Sequence, residues 1–398
     1  MENFSQRITA MQASPIRKLT PYAEKAKADG KKIYHLNIGQ PDIETPKNFM
    51  EAIKSFDEKV LAYTASQGIP QLIQAIIRYY KKYNMHFEKD EVLITNGGSE
   101  ALLFTLLAIA DYGDEVIIPE PFYTNYAGFN AIAGIKTVPL ITEASSGFHL
   151  PKKEEIEKLI TNKTKAILVT NPGNPTGAVF TEEEVNLLAD IAKKHNLFII
   201  SDEVYREFVY NGLKFKSFGS IPSIKDQVIL IDSVSKRFSA CGARIGAILS
   251  KNKKLIAQIL KICQGRLCCP TLEQIGAAAL YDVPEDYFKK VLSEYQKRRD
   301  ILYSKLQEIP GVVCQNPEGA FYVIAKLPVK NAEEFIIWLL KDFDLNGETV
   351  MFAPAQGFYI TPNAGEDEVR IAYILNENDL KKAMDILKVA LKKYPKRK

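Results

Sequence analysis

A lysine lies just past a strongly apolar run in this sequence. The run Val228–Asp232 leads into Ser-Val-Ser-Lys, which ends at Lys236, and Arg244 comes eight residues later. A lysine near apolar groups gives up its proton more easily than free lysine and can act as a nucleophile or base. The hydroxyls of Ser233 and Ser235 and the guanidinium of Arg244 suit a phosphate dianion. The segment therefore predicts a reactive amine beside an anion site.

Two further polar segments follow apolar runs. After Ala166–Thr170 comes the turn Asn-Pro-Gly-Asn-Pro-Thr-Gly (171–177), in which Asn174 offers an amide donor and acceptor. The next run ends at Asp202, with Tyr205 three residues later. A carboxylate at the inner end of a buried strand is costly unless a cation neutralises it. Asp202 therefore indicates a cationic ligand, unless it only caps the following helix.

Residues 95–101 read Thr-Asn-Gly-Gly-Ser-Glu-Ala and join a predicted strand to a predicted helix. Glycines at such a junction let backbone N–H groups approach an anion at the helix N-terminus. Gly98 and Ser99 are therefore candidate anion-binding residues.

The elements that must position these residues alternate through the middle of the chain. Candidate strands are Val92–Thr95, Glu115–Ile118, Ala166–Thr170, Leu197–Ser201, Val228–Asp232 and Ile245–Leu249. Amphipathic segments such as Thr181–His195 separate them. Strands that are apolar nearly throughout, with helices between them, predict an α/β fold with a mostly parallel sheet covered on both faces. Such sheets bind ligands beyond the carboxyl ends of their strands, where the candidate residues fall.

From about residue 285 the pattern changes to α+β. A long charged helix (roughly Glu285–Gln307) precedes short strands near Val312–Cys314 and Phe321–Lys326 and then two more helices. The first forty residues are too few for a domain and should pack against this part. We therefore expect a large domain over residues 46–284 and a smaller α+β domain made of residues 1–45 and 285–398.

Composition excludes several classes of function. The net charge is +4 over 398 residues, so no nucleic-acid partner is expected, and the basic run 392–398 should be a solvated tail. No apolar stretch approaches the roughly 20 residues that cross a bilayer, and no secretory signal pattern opens the sequence. The five cysteines include no Cys-x-x-Cys pair and the four histidines are scattered. This predicts no disulfide framework, no metal site and a cytoplasmic location.

Taken in order, these motifs resemble the class I/II pyridoxal-phosphate-dependent aminotransferases, members of the aspartate aminotransferase superfamily with fold type I. The resemblance runs from the Asn-Ile-Gly-Gln-Pro segment around Gly39, through Tyr63, to the Val-Arg-Ile-Ala segment around Arg370. The combination of Asn-Pro-x-Asn-Pro-Thr-Gly, Ser-x-Ser-Lys and Gly-x-Arg-x-Gly is highly specific. It implies an enzyme that uses pyridoxal 5′-phosphate to move an amino group from an L-amino acid to a 2-oxo acid.

The resemblance implies three catalytic roles. Lys236 would hold the cofactor as a Schiff base, the internal aldimine, and later move the proton between the substrate Cα and the cofactor C4′. Asp202 would pair with the pyridine nitrogen and keep it protonated, so the cofactor would be the cation that this carboxylate needs. Tyr205 and Asn174 would contact the phenolic oxygen of the ring.

The other implied roles concern binding. The phosphate would be held by Gly98, Ser99, Ser233, Ser235 and Arg244. Tyr123 would stack on the pyridine ring, a position where tryptophan is common. Arg370 would bind the substrate α-carboxylate, helped by the backbone of Gly39 and by Asn174. Tyr63 would reach the phosphate of the neighbouring subunit, which implies a homodimer with shared active sites.

The substrate side chain is less well specified. One dicarboxylate-specific subgroup has a lysine where this chain has Ser99, and another uses a partner-subunit arginine at the position of Gln264. Arg266, two residues further on, is the leading candidate for a distal carboxylate, with Arg17 and Lys18 as further candidates. Aspartate is the leading donor because it is the commonest substrate in the family, and 2-oxoglutarate is the expected acceptor. Alanine and aromatic amino acids are alternatives.

Two other functions share the fold. A pyridoxal-phosphate carbon–sulfur lyase has the same lysine, although the complete Asn-Pro turn and the Gly-Ala-Arg-Ile-Gly segment favour transamination. A cofactor-sensing transcription regulator carries a DNA-binding domain in front of its aminotransferase-like part. Here the match begins within the first forty residues, so a regulator is not expected.

Overall fold

The computed structural model describes residues 4–9 and 11–397; residues 1–3, Ala10 and Lys398, the last of the predicted basic tail, lie outside the described residues. The helices are α1 Gln6–Thr9, α2 Thr20–Ala28, α3 Lys47–Lys54, α4 Pro70–Lys81, α5 Gly97–Ile109, α6 Asn125–Ala133, α7 Lys153–Glu157, α8 Glu182–His195, α9 Val234–Arg237, α10 Lys253–Arg266, α11 Thr271–Leu280, α12 Tyr287–Gln307, α13 Ala332–Lys341 and α14 Glu377–Lys393. The strands are β1 Lys32–His35, β2 Val92–Thr95, β3 Glu115–Glu120, β4 Lys136–Ile141, β5 Thr164–Thr170, β6 Phe198–Asp202, β7 Val228–Ser233, β8 Gly246–Leu249, β9 Val313–Cys314, β10 Tyr322–Lys326, β11 Glu348–Met351, β12 Ala353–Pro354 and β13 Glu368–Ala372.

A seven-stranded sheet in the order β2-β8-β7-β6-β5-β3-β4 forms the centre of the molecule. Neighbouring strands from β7 through to β4 are parallel, and β8 runs antiparallel to both β2 and β7. The predicted mostly parallel α/β sheet is confirmed. The sequence pattern does not predict β4, because this edge strand buries only Leu140 fully and so has no continuous apolar run.

Both faces of this sheet are covered. Along β5 and β6 the side chains alternate, so that Ile167 and Ile199 join one apolar cluster while Leu168 and Ile200 join the cluster on the opposite face. Because successive strand residues point to opposite faces, two covered faces require apolar residues at nearly every position. That requirement explains the continuous apolar runs, and it leaves polar side chains room only where the strands end.

The N-terminal residues pair with the C-terminal part of the chain. Strand β1 pairs in parallel with β11, and a separate antiparallel sheet has the order β12-β13-β10-β9. Apolar residues from α2, α12, α13 and α14 share one core with these strands. We propose on this basis that residues 1–45 and 285–398 form a smaller domain beside a large domain of residues 46–284. None of the helices in residues 4–9 and 11–397 is long and apolar enough to cross a membrane.

Candidate active site

A cavity of about 330 Å³ lies beyond the carboxyl ends of β5, β6 and β7. Most of the residues predicted from the sequence meet in its wall: Gly39, Gly98, Ser99, Tyr123, Asn174, Asp202, Tyr205, Ser233, Ser235, Lys236, Arg244 and Arg370. Parallel strands bring their carboxyl ends to the same edge of a sheet, which is why segments far apart in sequence converge here. Tyr63 and Arg266 do not line this cavity.

Lys236 enters the cavity from the short helix α9, which follows β7 directly. Its Nζ donates to the carbonyl oxygen of Gly39, 2.8 Å away, and lies 4.0 Å from the Sγ of Cys241. The hydroxyl of Ser233 caps α9 by accepting from the backbone N–H of Ser235. The amine therefore lies between the large sheet and the segment that carries Gly39.

Asp202 ends β6 with its carboxyl group buried in the cavity wall. The hydroxyl of Tyr126 donates to its Oδ2 at 2.7 Å, and the same hydroxyl lies 2.6 Å from the Oγ1 of Thr170. Burial raises the pKa of Asp202 to about 6, although the Tyr126 hydrogen bond opposes the shift. Among the described residues no basic side chain forms an ion pair with this carboxyl. The carboxyl of Asp202 therefore lacks a positive partner, and a bound cationic ligand could supply one.

Sequence reasoning did not assign a role to Tyr126. It is the second residue of α6, and its backbone N–H donates to the carbonyl oxygen of Tyr123, which lies just before the helix, at 2.9 Å. Such a turn brings residues three positions apart close together. The two rings meet edge to face with centroids 5.5 Å apart. The spacing alone could have indicated that Tyr126 lies beside Tyr123, although not that it binds Asp202.

Another part of the cavity wall forms an anion cup, made of Gly98, Ser99, Ser233, Ser235 and Arg244. Gly98 and Ser99 lie in the first turn of α5, where backbone N–H groups have no partner within the helix. The hydroxyls of Ser233 and Ser235 lie 2.8 Å apart. Arg244 packs so closely on Gly97 that a Cβ added to that glycine would lie 2.4 Å from its Nη2. Hydroxyls, free N–H groups and a guanidinium together suit a phosphate.

Arg370 reaches the cavity from β13, in the separate antiparallel sheet. It is buried, its Nη1 donates to the Oδ1 of Asn174 at 3.0 Å, and its Nη2 donates to the carbonyl oxygen of Asn37 at 2.7 Å. Burial lowers the pKa of its guanidinium from the ordinary value. No carboxylate pairs with it within the described ranges. A buried guanidinium held by neutral groups suits the carboxylate of a substrate.

Tyr322 is a second cavity residue that the sequence analysis did not identify. Its hydroxyl lies 2.9 Å from that of Tyr205, and the guanidinium of Arg370 lies 4.6 Å from the centroid of its ring. A Cβ at Gly39 would lie 1.8 Å from the Tyr322 hydroxyl, so only glycine leaves room for this packing. The residue lies in a predicted strand, and nothing in the strand pattern indicates that it meets Tyr205.

Arg266, which the sequence predicts to bind a distal carboxylate, lies outside this cavity. This residue ends α10, where its Nη1 donates to the Oε2 of Glu100 at 2.8 Å and its Nη2 donates to the backbone of Ser66 at 3.2 Å. Its charge is thus already paired outside the cavity, and releasing it to bind a substrate would leave Glu100 without its partner. Tyr63 is 82% exposed and remains available for a contact with another molecule.

A sequence profile of the family described as aminotransferase class I and II matches residues 31–387. The chain belongs to this family. Aspartate aminotransferase of Bacillus subtilis is 31% identical to it, over 98% of this chain and 99% of the relative. A mutant structure of Thermus thermophilus aspartate aminotransferase has a TM-score of 0.89 and 28% identity, covering 98% of this chain and all of the other. Alanine aminotransferase from Pyrococcus furiosus gives the same TM-score and coverage at 32% identity.

These enzymes have fold type I and use pyridoxal 5′-phosphate, and the cavity of this aminotransferase fits that cofactor. The buried Asp202, which has no cation in the described chain, suits a protonated pyridine nitrogen, and the anion cup suits the phosphate. Lys236 offers the amine for the aldehyde carbon. The cavity thus has a complementary group for each polar end of the cofactor.

Replacing Tyr126 with Phe should raise the pKa of Asp202 further, because the Asp202 carboxylate loses its side-chain donor. A protonated Asp202 cannot balance a positive ring nitrogen, so kcat should fall by about tenfold or more, the effect of losing a hydrogen bond to a charged group. The loss should be largest at acidic pH, where more of the carboxyl is protonated, and the acidic limb of the pH–rate profile should move to higher pH. Tyr83→Phe, which removes a hydroxyl bound to the remote Glu207, is the control. A profile like that of the wild type in Tyr126→Phe would contradict the role.

Two substitutions at Tyr322 should separate its contacts. Tyr322→Phe keeps the ring beside Arg370 and removes only the hydroxyl next to Tyr205, so it should change the visible absorption of the bound cofactor more than the KM of the amino acid. Tyr322→Leu also removes the ring and should raise that KM further, by several-fold. Equal KM values in the two variants would show that the ring does not position Arg370.

Proposed function

We propose that this aminotransferase moves the amino group of L-aspartate to 2-oxoglutarate with pyridoxal phosphate held on Lys236. The observation that carries the proposal is the meeting of Lys236, Asp202 and Arg370 in one cavity. The amine and the carboxyl face the position suited to the cofactor, and the buried arginine offers a carboxylate site beside them. This arrangement suits an amino acid bound by its carboxylate with its amino group close to Lys236.

Each of these side chains has one task in the proposed reaction. The bound cofactor supplies an electron sink for the charge left when a Cα proton departs. Asp202 holds a proton on the ring nitrogen through its negative charge. Arg370 binds the substrate α-carboxylate and so fixes the Cα. Lys236 would hold the cofactor and, as a free amine, would accept the Cα proton.

Aspartate is the leading donor because the similar proteins from Bacillus subtilis and Thermus thermophilus bear the name aspartate aminotransferase. Alanine is a second candidate, supported by the structural likeness to alanine aminotransferase from Pyrococcus furiosus. A panel of amino acids with 2-oxoglutarate, with glutamate measured as product, separates these donors. The aspartate proposal would be abandoned if aspartate yielded no oxaloacetate. Pyruvate and ammonia released from cystathionine without any 2-oxo acid would instead favour the carbon–sulfur lyase.

The purified protein should be yellow, and borohydride should attach the cofactor permanently to Lys236. Peptide mapping identifies the labelled residue, and a label on another lysine would contradict the proposal. Lys236→Ala should lose at least the ~10²–10⁴-fold in rate that a general base contributes. It should still bind the cofactor through the anion cup. Lys253→Ala, which removes a surface lysine paired with Asp90, should keep wild-type activity.

We also propose that the enzyme is a homodimer with shared active sites. Tyr63 is 82% exposed, and the neighbouring Val60 and Leu61 are 72% and 59% exposed. Apolar and aromatic side chains grouped on a surface in this way are typical of an interface with a partner. A second copy of the chain would cover them and bring Tyr63 to the anion cup of the other subunit.

The five cysteines are free thiols, in keeping with the cytoplasmic location that stays a prediction.

Mixing Tyr63→Ala subunits with Lys236→Ala subunits tests the shared site. Neither variant alone has a complete site, but each hybrid dimer has one intact site and one doubly altered site. The mixture should recover about one quarter of wild-type activity, because half of the dimers are hybrids and each has one working site. A monomer in sedimentation at working concentration, or no recovery after subunit exchange, would rule out the shared site.

A further inference from the structure

Arg17 lies in the cavity wall, on the segment that precedes α2. Its backbone N–H donates to the carbonyl of Ser14 at 3.1 Å, which places the residue in a turn. The guanidinium is exposed, and in residues 4–9 and 11–397 no carboxylate pairs with it. An arginine without a partner at the mouth of an active site is available to bind a ligand.

The neighbours of Arg17 hold the turn in place. Pro15 is buried and packs closely against Gly357, and Ile16 packs on the apolar cluster that contains Phe358. Leu19 is buried in the core shared with the C-terminal helices. These contacts fix the backbone on both sides, whereas the long side chain of Arg17 is exposed at the cavity wall.

One positively charged side chain in the cavity wall has no ligand assigned to it by the proposed function. Among the described residues its wall contains Lys236, Arg244, Arg370 and Arg17. In the proposed function Lys236 holds the cofactor, Arg244 binds its phosphate and Arg370 binds the substrate α-carboxylate. An amino acid with a second carboxylate needs one more cation, because a carboxylate enclosed without one is strongly destabilised. Of the cations that the described residues place in the wall, Arg17 is the one left to supply it.

Resting on the proposed function, we infer that Arg17 binds the distal carboxylate and selects dicarboxylate substrates. It lies close to the Arg370 site: burial raises the pKa of Tyr123, and the positive charges of both Arg370 and Arg17 oppose that rise. Both arginines thus act on the same phenol, and all three residues line one cavity. An arginine side chain has several rotatable bonds, so an exposed one in the cavity wall can reach both the shorter side chain of aspartate and the longer one of 2-oxoglutarate. One residue would then serve both half-reactions.

The other candidate cations are engaged elsewhere. Lys18 forms an ion pair with Glu333 and does not line the cavity. Arg266 pairs with Glu100 at 2.8 Å. Lys18 follows Arg17 directly in sequence and is also exposed, so it offers a matched control for the removal of one positive charge from this turn.

The test compares wild type, Arg17→Ala, Arg17→Lys and Lys18→Ala as holoenzymes. The spectral change of the bound cofactor follows single half-reactions with aspartate, glutamate and alanine. In Arg17→Ala, kcat/KM for aspartate and glutamate should fall about tenfold or more relative to alanine, the loss expected for a charge-assisted hydrogen bond. Arg17→Lys should recover part of this preference. Lys18→Ala should keep the wild-type ratio.

A binding measurement tests the same site without turnover. Calorimetry should show that Arg17→Ala weakens binding of succinate to the holoenzyme about tenfold or more, while binding of propionate, which has a single carboxylate, changes far less. Equal losses for succinate and propionate, or for aspartate and alanine, would overturn the inference, because they would mean that Arg17 supports the site in general.

The two proposals fail differently. A wild-type enzyme that accepts alanine but neither aspartate nor glutamate would overturn the inference about Arg17 and the choice of aspartate, and leave transamination intact. A wild-type enzyme that converts no amino acid would overturn the proposed function, whereas a selective loss of succinate binding in Arg17→Ala would still support the distal-carboxylate site.

Discussion

The architecture of the active site depends on one buried carboxylate. Asp202 ends a strand at the centre of the seven-stranded sheet, where burial raises its pKa to about 6 and no described basic side chain pairs with it. A protein tolerates such an unpaired acid where a ligand brings the missing charge. The parallel sheet keeps the carboxyl in place, and Tyr126 orients it through a hydrogen bond. The lysine and the anion cup then lie where the rest of a pyridine cofactor would extend.

A second constraint comes from the join between the large sheet and the smaller antiparallel sheet. Arg370 lies on β13 of the smaller sheet, yet it binds Asn174 from the turn after β5. Tyr322 packs under that arginine and meets Tyr205, which follows β6. The proposed carboxylate site and the proposed cofactor contact are therefore linked through two phenols. A relative movement of the two sheets would change both at once, so the geometry of the site depends on how closely they pack.

The charges of the site divide into those that are satisfied and those that await a ligand. Arg266 belongs to the first group because Glu100 already neutralises it. Arg370 belongs to the second, since neutral oxygens hold it in place without cancelling its charge. The described chain gives Arg17 no counter-ion, although its neighbours are firmly packed. Whether an arginine can bind a substrate carboxylate depends on whether its charge is already paired within the protein. Its distance along the chain from a motif matters less.

The sequence by itself determined the family, the parallel sheet and most of the cavity residues. Buried parallel strands need unbroken apolar runs, so the polar residues at their ends, such as Asp202 and Lys236, stand out in the sequence. The sequence alone did not predict that Arg266 lies outside the cavity, that Arg17 lies in its wall or that Tyr322 contacts Tyr205. Those contacts join residues whose local patterns are ordinary, 166 positions apart for Arg266 and Glu100 and 117 for the two tyrosines. Only the packing of one sheet against the other, and of the N-terminal segment across both, decides which side chains meet, because burial and charge pairing are properties of neighbours in space.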